Sequence, residues 1–217
     1  MKKYLLITLL AVLGLPGPAQ AQLQKGTKYL GATVSFNGRY IPGNGSNPKS
    51  GASEFTIDPS LQAGIFFKNN VMAGIGIGSS NYVSKSWYKD GATIQEFRNS
   101  QNTFSLSPFI RHYKTLHPKW AIFLNTSAEL AFLNMRSKGI EYKDVTNGFS
   151  AGIRVVPGIT YWITPRFAIE SDISLLSLES GYKDFQKTKS IYFRSGLSSS
   201  INSYFSVRAS WYIQKTQ

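Results

Sequence analysis

The sequence predicts an all-β fold, an eight-stranded antiparallel up-and-down transmembrane β-barrel with short periplasmic turns and long extracellular loops. Three observations carry that expectation. The chain opens on an export leader, its apolar residues then recur with period two over segments of about ten residues, and the connections between segments alternate short and long. Side chains alternate faces along a strand, and about ten tilted residues cross a bilayer. A soluble sandwich shares the periodicity but has no reason to sort its connections by length.

In the leader, Lys2 and Lys3 precede an apolar run from Tyr4 to Leu15, and Ala19-Gln20-Ala21 offers small residues for cleavage. Residues 1-21 are therefore expected to be removed, leaving 22-217 as the barrel domain. The run is too short for a membrane helix, and Pro16-Gly17-Pro18 interrupts any continuation of it. The chain has no cysteine, which excludes disulfides and thiol chemistry, so an exported fold must be held by its sheet. The formal net charge is +13, falling by two when Lys2 and Lys3 leave. An exported chain rarely meets nucleic acid. The natural anionic partner is lipid headgroups or the phosphorylated sugars of lipopolysaccharide, and solvated loops are the plainer account.

The first strand covers about Lys28 to Asn37, with Leu30, Val34 and Phe36 on one face and Gly31, Thr33 and Ser35 on the other. Gly38 to Ser53 has turn-forming composition and no apolar period, which predicts a loop. Strand two, Phe55 to Phe67, ends at a tight turn, Lys68-Asn69-Asn70. Strand three, Val71 to about Val83, carries glycine inward at 74, 76 and 78, so something large must stand opposite; Phe109, Phe123, Trp162 and Tyr212 are candidates. Gly74-Ile75-Gly76-Ile77-Gly78 is a poor nucleotide loop, because its spacing is incomplete and no helix comes after it.

A polar connection, Ser84 to Thr103, leads to the clearest hairpin, Phe104 to Phe132, which turns at Leu116-His117-Pro118-Lys119. Its second arm alternates Trp120, Ile122, Leu124, Thr126, Ala128, Leu130 and Phe132 against polar and small residues. The connection Asn134 to Asn147 precedes strand six, Phe149 to Ile163, and Thr164-Pro165-Arg166 turns the chain into strand seven, Phe167 to about Leu175. Leu176 and Leu178 break the parity, which predicts a bulge or the strand's exit from lipid. After a lysine-rich connection, Ser180 to Ser190, the last alternation runs from Ile191 to Ile213. It is too long for one crossing and predicts a kink or bulge near Ser198 to Ser203, or two strands in place of one.

On the inward parity fall Asp58, Arg111, Glu129, Arg154, Glu170, Asp172, Arg194 and Arg208. Acids match bases, and every base is arginine, whose planar fork pairs well with a sequestered carboxylate. Eight strands leave an interior just wide enough to fill with side chains. The expectation is a salt-bridged polar plug rather than a pore. Phe67, Trp120, Tyr161, Phe167 and Trp211 fall beside the short turns or the carboxyl end, as a girdle at the membrane interface would.

Ser107-Pro108-Phe109-Ile110-Arg111-His112-Tyr113, followed by the strand from Trp120 to Phe132, resembles the small bacterial outer-membrane β-barrel domain family that includes OmpX-like and OmpW-like porin-family proteins. His112 stands where the family's pattern has an aromatic residue. The resemblance implies an integral barrel in the bacterial outer membrane, with the barrel-assembly machinery as a partner during insertion. It says little about task, because the family hosts structural, adhesive and small-solute roles.

The functional expectation is a non-enzymatic barrel with a structural or surface-interaction role. The alternatives are a passive channel for small or hydrophobic solutes, a lipid A-modifying enzyme, and a soluble lipocalin-like binder. Enzymatic chemistry needs a base and nucleophile in reach, and the two histidines, His112 and His117, lie on the periplasmic side. No catalytic residue, metal site or cofactor is expected. Lys85, Lys89, Lys138, Lys143, Lys183, Lys187 and Lys189 are the candidate contacts to anionic lipid.

Overall fold

The computed structural model describes residues 23–42, 50–90, 93–139, 143–173, 177–185, 188–195 and 205–214. The leader and its cleavage site, Lys187, and the expected kink at 198–203 lie outside the described residues.

The strands are β1 (Lys28–Ile41), β2 (Gly51–Lys68), β3 (Val71–Asp90), β4 (Thr93–His117), β5 (Trp120–Lys138), β6 (Lys143–Thr164), β7 (Phe167–Ile173), β8 (Leu178–Phe185), β9 (Thr188–Ser195) and β10 (Phe205–Ile213). Each of β1 to β6 pairs antiparallel with the next, β7 pairs β10, and β10 pairs β1. Those eight close a ring. The hairpin β8–β9 continues strands seven and eight above it, joined to the upper part of β6.

The joint between β7 and β8 has a readable cause. Gly158 faces Asp172 while Val155 faces Leu178, so one side advances from 172 to 178 as the other moves only from 158 to 155. The surplus is odd, which turns the subsequent residues to the opposite face. This is the parity break at Leu178.

Three turns at one end are tight. At Asn69-Asn70 the φ of Asn70 is 63°, a left-handed conformation that asparagine tolerates. Thr164 Oγ1 accepts from the amides of Arg166 and Phe167 at 3.3 and 3.0 Å. The chain entering β1 is tied to the same end, since the Asn70 amide donates to the Leu23 carbonyl at 2.8 Å and that of Gly26 to Phe66 at 2.7 Å.

At the other end the strands run past their expected limits. Much of Ser84 to Thr103, expected as a polar connection, is a paired hairpin, with Ser84 opposite Asn99 and Asp90 opposite Thr93. The connections at 134–147 and 180–190 are likewise largely strand. Period two reports that one face is apolar; where both faces are wet the strand persists on backbone hydrogen bonds without that signature.

The outer wall is apolar. Leu30, Leu61, Ile65, Ile75, Ile110, Ile122, Leu124 and Val207 are all exposed. Trp120 packs on Tyr161 with ring centroids 4.5 Å apart, and Phe167 on Trp211 at 5.2 Å, so aromatic pairs edge the band at the turn end. From Trp120 to Phe132 the band is about 28 Å tall at ~3.3 Å per residue and a tilt near ~45°. A bilayer presents a band of about 25 Å to such a barrel.

Candidate functional site: the sealed barrel axis

Inward side chains form three layers. At the turn end Leu23, Phe66, Met72, Phe123, Trp162 and Tyr212 are buried together. This floor is aromatic where the expectation was polar, because the lowest inward positions carry rings. β3 makes room for them. A Cβ on Gly74 would sit 2.5 Å from Phe109 Cζ, and one on Gly158 in β6 would overlap Phe123. Of the side chains expected opposite the strand-three glycines, Phe109 takes that place, whereas Phe123 stands over Gly158.

Above the floor lies the ion network, centred on Glu170. Its Oε2 accepts from Arg111 Nη1 at 2.8 Å, the Tyr29 hydroxyl at 2.7 Å and Arg208 Nη1 at 3.2 Å. Its Oε1 accepts from the Tyr212, Tyr113 and Thr160 hydroxyls at 2.5, 3.2 and 3.3 Å. Arg111 also donates to Asn125 and Gln62 at 3.2 and 2.9 Å, and its guanidinium lies 4.6 Å from the centre of the Phe123 ring. Arg208 Nη2 reaches Asp172 at 2.8 Å. Glu170 and Arg111 are fully buried, and a sequestered charge is tolerable only when matched in this way.

The third layer is a polar cup of about 500 Å³, walled by Thr33, Ser35, Asp58, Ser105, Ser127, Glu129 and Arg154, with Arg208 and Asp172 among its lining. Asp58 accepts from the Ser35 hydroxyl at 3.2 Å. Glu129 and Arg154 also border a second cavity of about 280 Å³ beneath Glu179 and Tyr192.

The structure thus brings Arg111, Glu170, Asp172 and Arg208 into one network and places Asp58, Glu129 and Arg154 on the cup wall. Arg194 is in neither. It is exposed on β9, with its guanidinium 4.8 Å from the centre of the Tyr192 ring, because β9 belongs to the hairpin above the ring. The expected match of acids and bases therefore does not extend through the interior. Tyr29, Tyr113 and Tyr212, which donate to Glu170, were not singled out for that role by sequence. Only Tyr113 carries a signal, sharing the inward parity of Arg111 two positions away; Tyr29 and Tyr212 stand opposite each other, with no charged residue two positions away on their face.

Among the candidate lysines, Lys85, Lys138, Lys143 and Lys189 are exposed on the hairpins, Lys183 lies 5.0 Å from the centre of the Phe185 ring, and Lys89 sits on β3 with its side chain outside the described residues.

A closed antiparallel ring, apolar outside and ion-paired within, defines a small barrel of the bacterial outer-membrane type. Solved structures of two such proteins are similar to it. The N-terminal β-barrel domain of Pseudomonas aeruginosa OprF matches 87% of this chain and 98% of its own, at 14% identity and a TM-score of 0.33. Neisserial surface protein A matches 88% of this chain and 97% of its own, at 12% identity and a TM-score of 0.35. No protein-family model and no curated protein matches the chain. The class rests on strand pairing and wall polarity rather than on these likenesses.

Proposed function

We propose that this chain is an integral barrel of a bacterial outer membrane, exported with its leader removed after Ala21, its turns in the periplasm and its hairpins outside the cell. It is structural and non-enzymatic, conducts no solute, and uses its basic hairpins for surface contacts. Its first partners are outer-membrane lipid and lipopolysaccharide, with the barrel-assembly machinery acting at insertion. One observation carries this reading: the axis is closed at the turn end by Leu23, Phe66, Met72 and Tyr212, while the wall remains apolar. A cup with a floor holds water but passes nothing. The arginines and carboxylates at the axis hold one another, and His112 and His117 point outward at the turn end.

Single-channel recording in planar bilayers tests this reading. The purified protein is expected to insert without openings above baseline; large, stable openings would overturn the sealed barrel and favour the passive-channel alternative.

A further inference from the structure

The register of β3 to β6 aligns four neighbouring strands above the apolar band and sorts their outward residues into rows. The lowest is aromatic: Phe104, Phe132 and Phe149 lie side by side, the last two with ring centroids 5.5 Å apart. One outward position higher, Asn81, Asn102, Asn134 and Asn147 form a continuous row, with Asn134 donating to Asn147 at 2.7 Å. Arg136 stands above and donates to Asn134 at 3.3 Å. Higher again, Lys85, Arg98, Lys138 and Lys143 face one another across successive strands, all exposed. A cavity of about 400 Å³ opens between the aromatic and asparagine rows, lined by Phe104, Phe132, Asn102, Asn134 and Asn147.

Like charges directly opposite each other in a sheet repel, so a row of four cations is not a folding device. The carboxylates on this face among the described residues are Glu96, one row above Arg98, and Asp184, which stands opposite Lys189. The face stays strongly positive. Its rows match the order of groups in an acylated, phosphorylated sugar: apolar rings for chains, amides for hydroxyls, then cations for phosphates. At ~3.3 Å per residue and the same tilt, the cation row sits about 14 Å above the aromatic one.

We propose that the outward face of β3–β6 is a binding site for a phosphorylated glycolipid of the outer leaflet. The site rests on the orientation proposed above and deepens it: Lys85, Lys138 and Lys143 belong to it together with Arg98, Arg136 and the asparagine row. Phosphate contacts fall to the cations, and sugar hydroxyls to the asparagines.

The test uses the full mature chain in neutral detergent micelles, with native mass spectrometry to compare a bis-phosphorylated acylated glucosamine disaccharide, its dephosphorylated form and phosphatidylglycerol. Expected is preference for the phosphorylated glycolipid over both, weakened by salt. Arg98→Gln with Lys138→Gln should weaken it by about 25-fold, at roughly fivefold per cation. Asn134→Ala with Asn147→Ala should narrow the preference over phosphatidylglycerol. Equal binding of phosphatidylglycerol would reduce the face to a general anion surface and overturn the glycolipid assignment, as would variants that bind like the parent. Insertion into vesicles is scored separately by protease protection. A chain that never inserts overturns the outer-membrane reading, whereas one that inserts but binds no glycolipid overturns this inference alone.

Discussion

On the barrel axis Arg111 and Arg208 lie 2.8 and 3.2 Å from one carboxylate oxygen of Glu170, whereas on the hairpins far from the tight turns Lys85, Arg98, Lys138 and Lys143 stand abreast with no carboxylate in their row. The same kind of side chain does opposite work in the two regions. Inside, Arg111 and Arg208 are buried and each is ion-paired to a carboxylate, so these charges satisfy one another. Outside, the cations are repelled by their neighbours, and the sheet holds them in line at a small cost that a bound anion would repay. Matched charge marks what a fold needs for itself; aligned like charge marks what it presents to something else.

Substitutions in each region put that contrast at risk. Glu170→Gln leaves Arg111 and Arg208 facing a neutral amide in a buried site, and should destabilise the barrel by about 3–5 kcal/mol in urea unfolding from vesicles. A loss below about 1 kcal/mol would mean that the network is not what holds the axis. Gly74→Val places methyl groups against Phe109 and the Ala63 carbonyl, and should cost about 1–3 kcal/mol by the same measurement. Parent-like stability would show that the floor can shift at no cost. The smallest effect has the opposite sign. Lys138→Gln without ligand should raise stability by roughly 0.2–1 kcal/mol, because it removes repulsion from Arg98 and Lys143. A clear loss of stability would place Lys138 among the structural charges and erase the distinction between the two regions.

The alternation from Trp120 to Phe132 was legible because each outward side chain meets a different medium from its inward neighbour. Face assignments for Arg111, Glu170 and Arg208 come from that parity alone. Ser84 to Thr103 gave no such contrast, since water lies on both sides, and composition there looked like loop. Arg194 was misplaced for a related reason: its parity is inward, but parity carries no height, and β9 stands above the closed ring. The asparagine row is invisible in the sequence because Asn81, Asn102, Asn134 and Asn147 are scattered along the chain and meet only once strand register is fixed. Lys85, Lys138 and Lys143 were singled out for charge alone, without Arg98, which completes their row.

The seam between β1 and β10 runs only from Lys28 to Thr33, opposite Ile213 to Arg208, and it joins residues 175 to 185 positions apart in the sequence. Every other seam of the ring between consecutive strands can zip locally as a hairpin, but this one must wait for nearly the whole polypeptide, the slowest kind of contact to form. Until it forms, β1 and β10 each offer an unsatisfied edge that hydrocarbon cannot solvate. Assembly in a bilayer is therefore expected to end at this short junction, and loss of the last strand should leave an aggregation-prone open sheet rather than a smaller barrel.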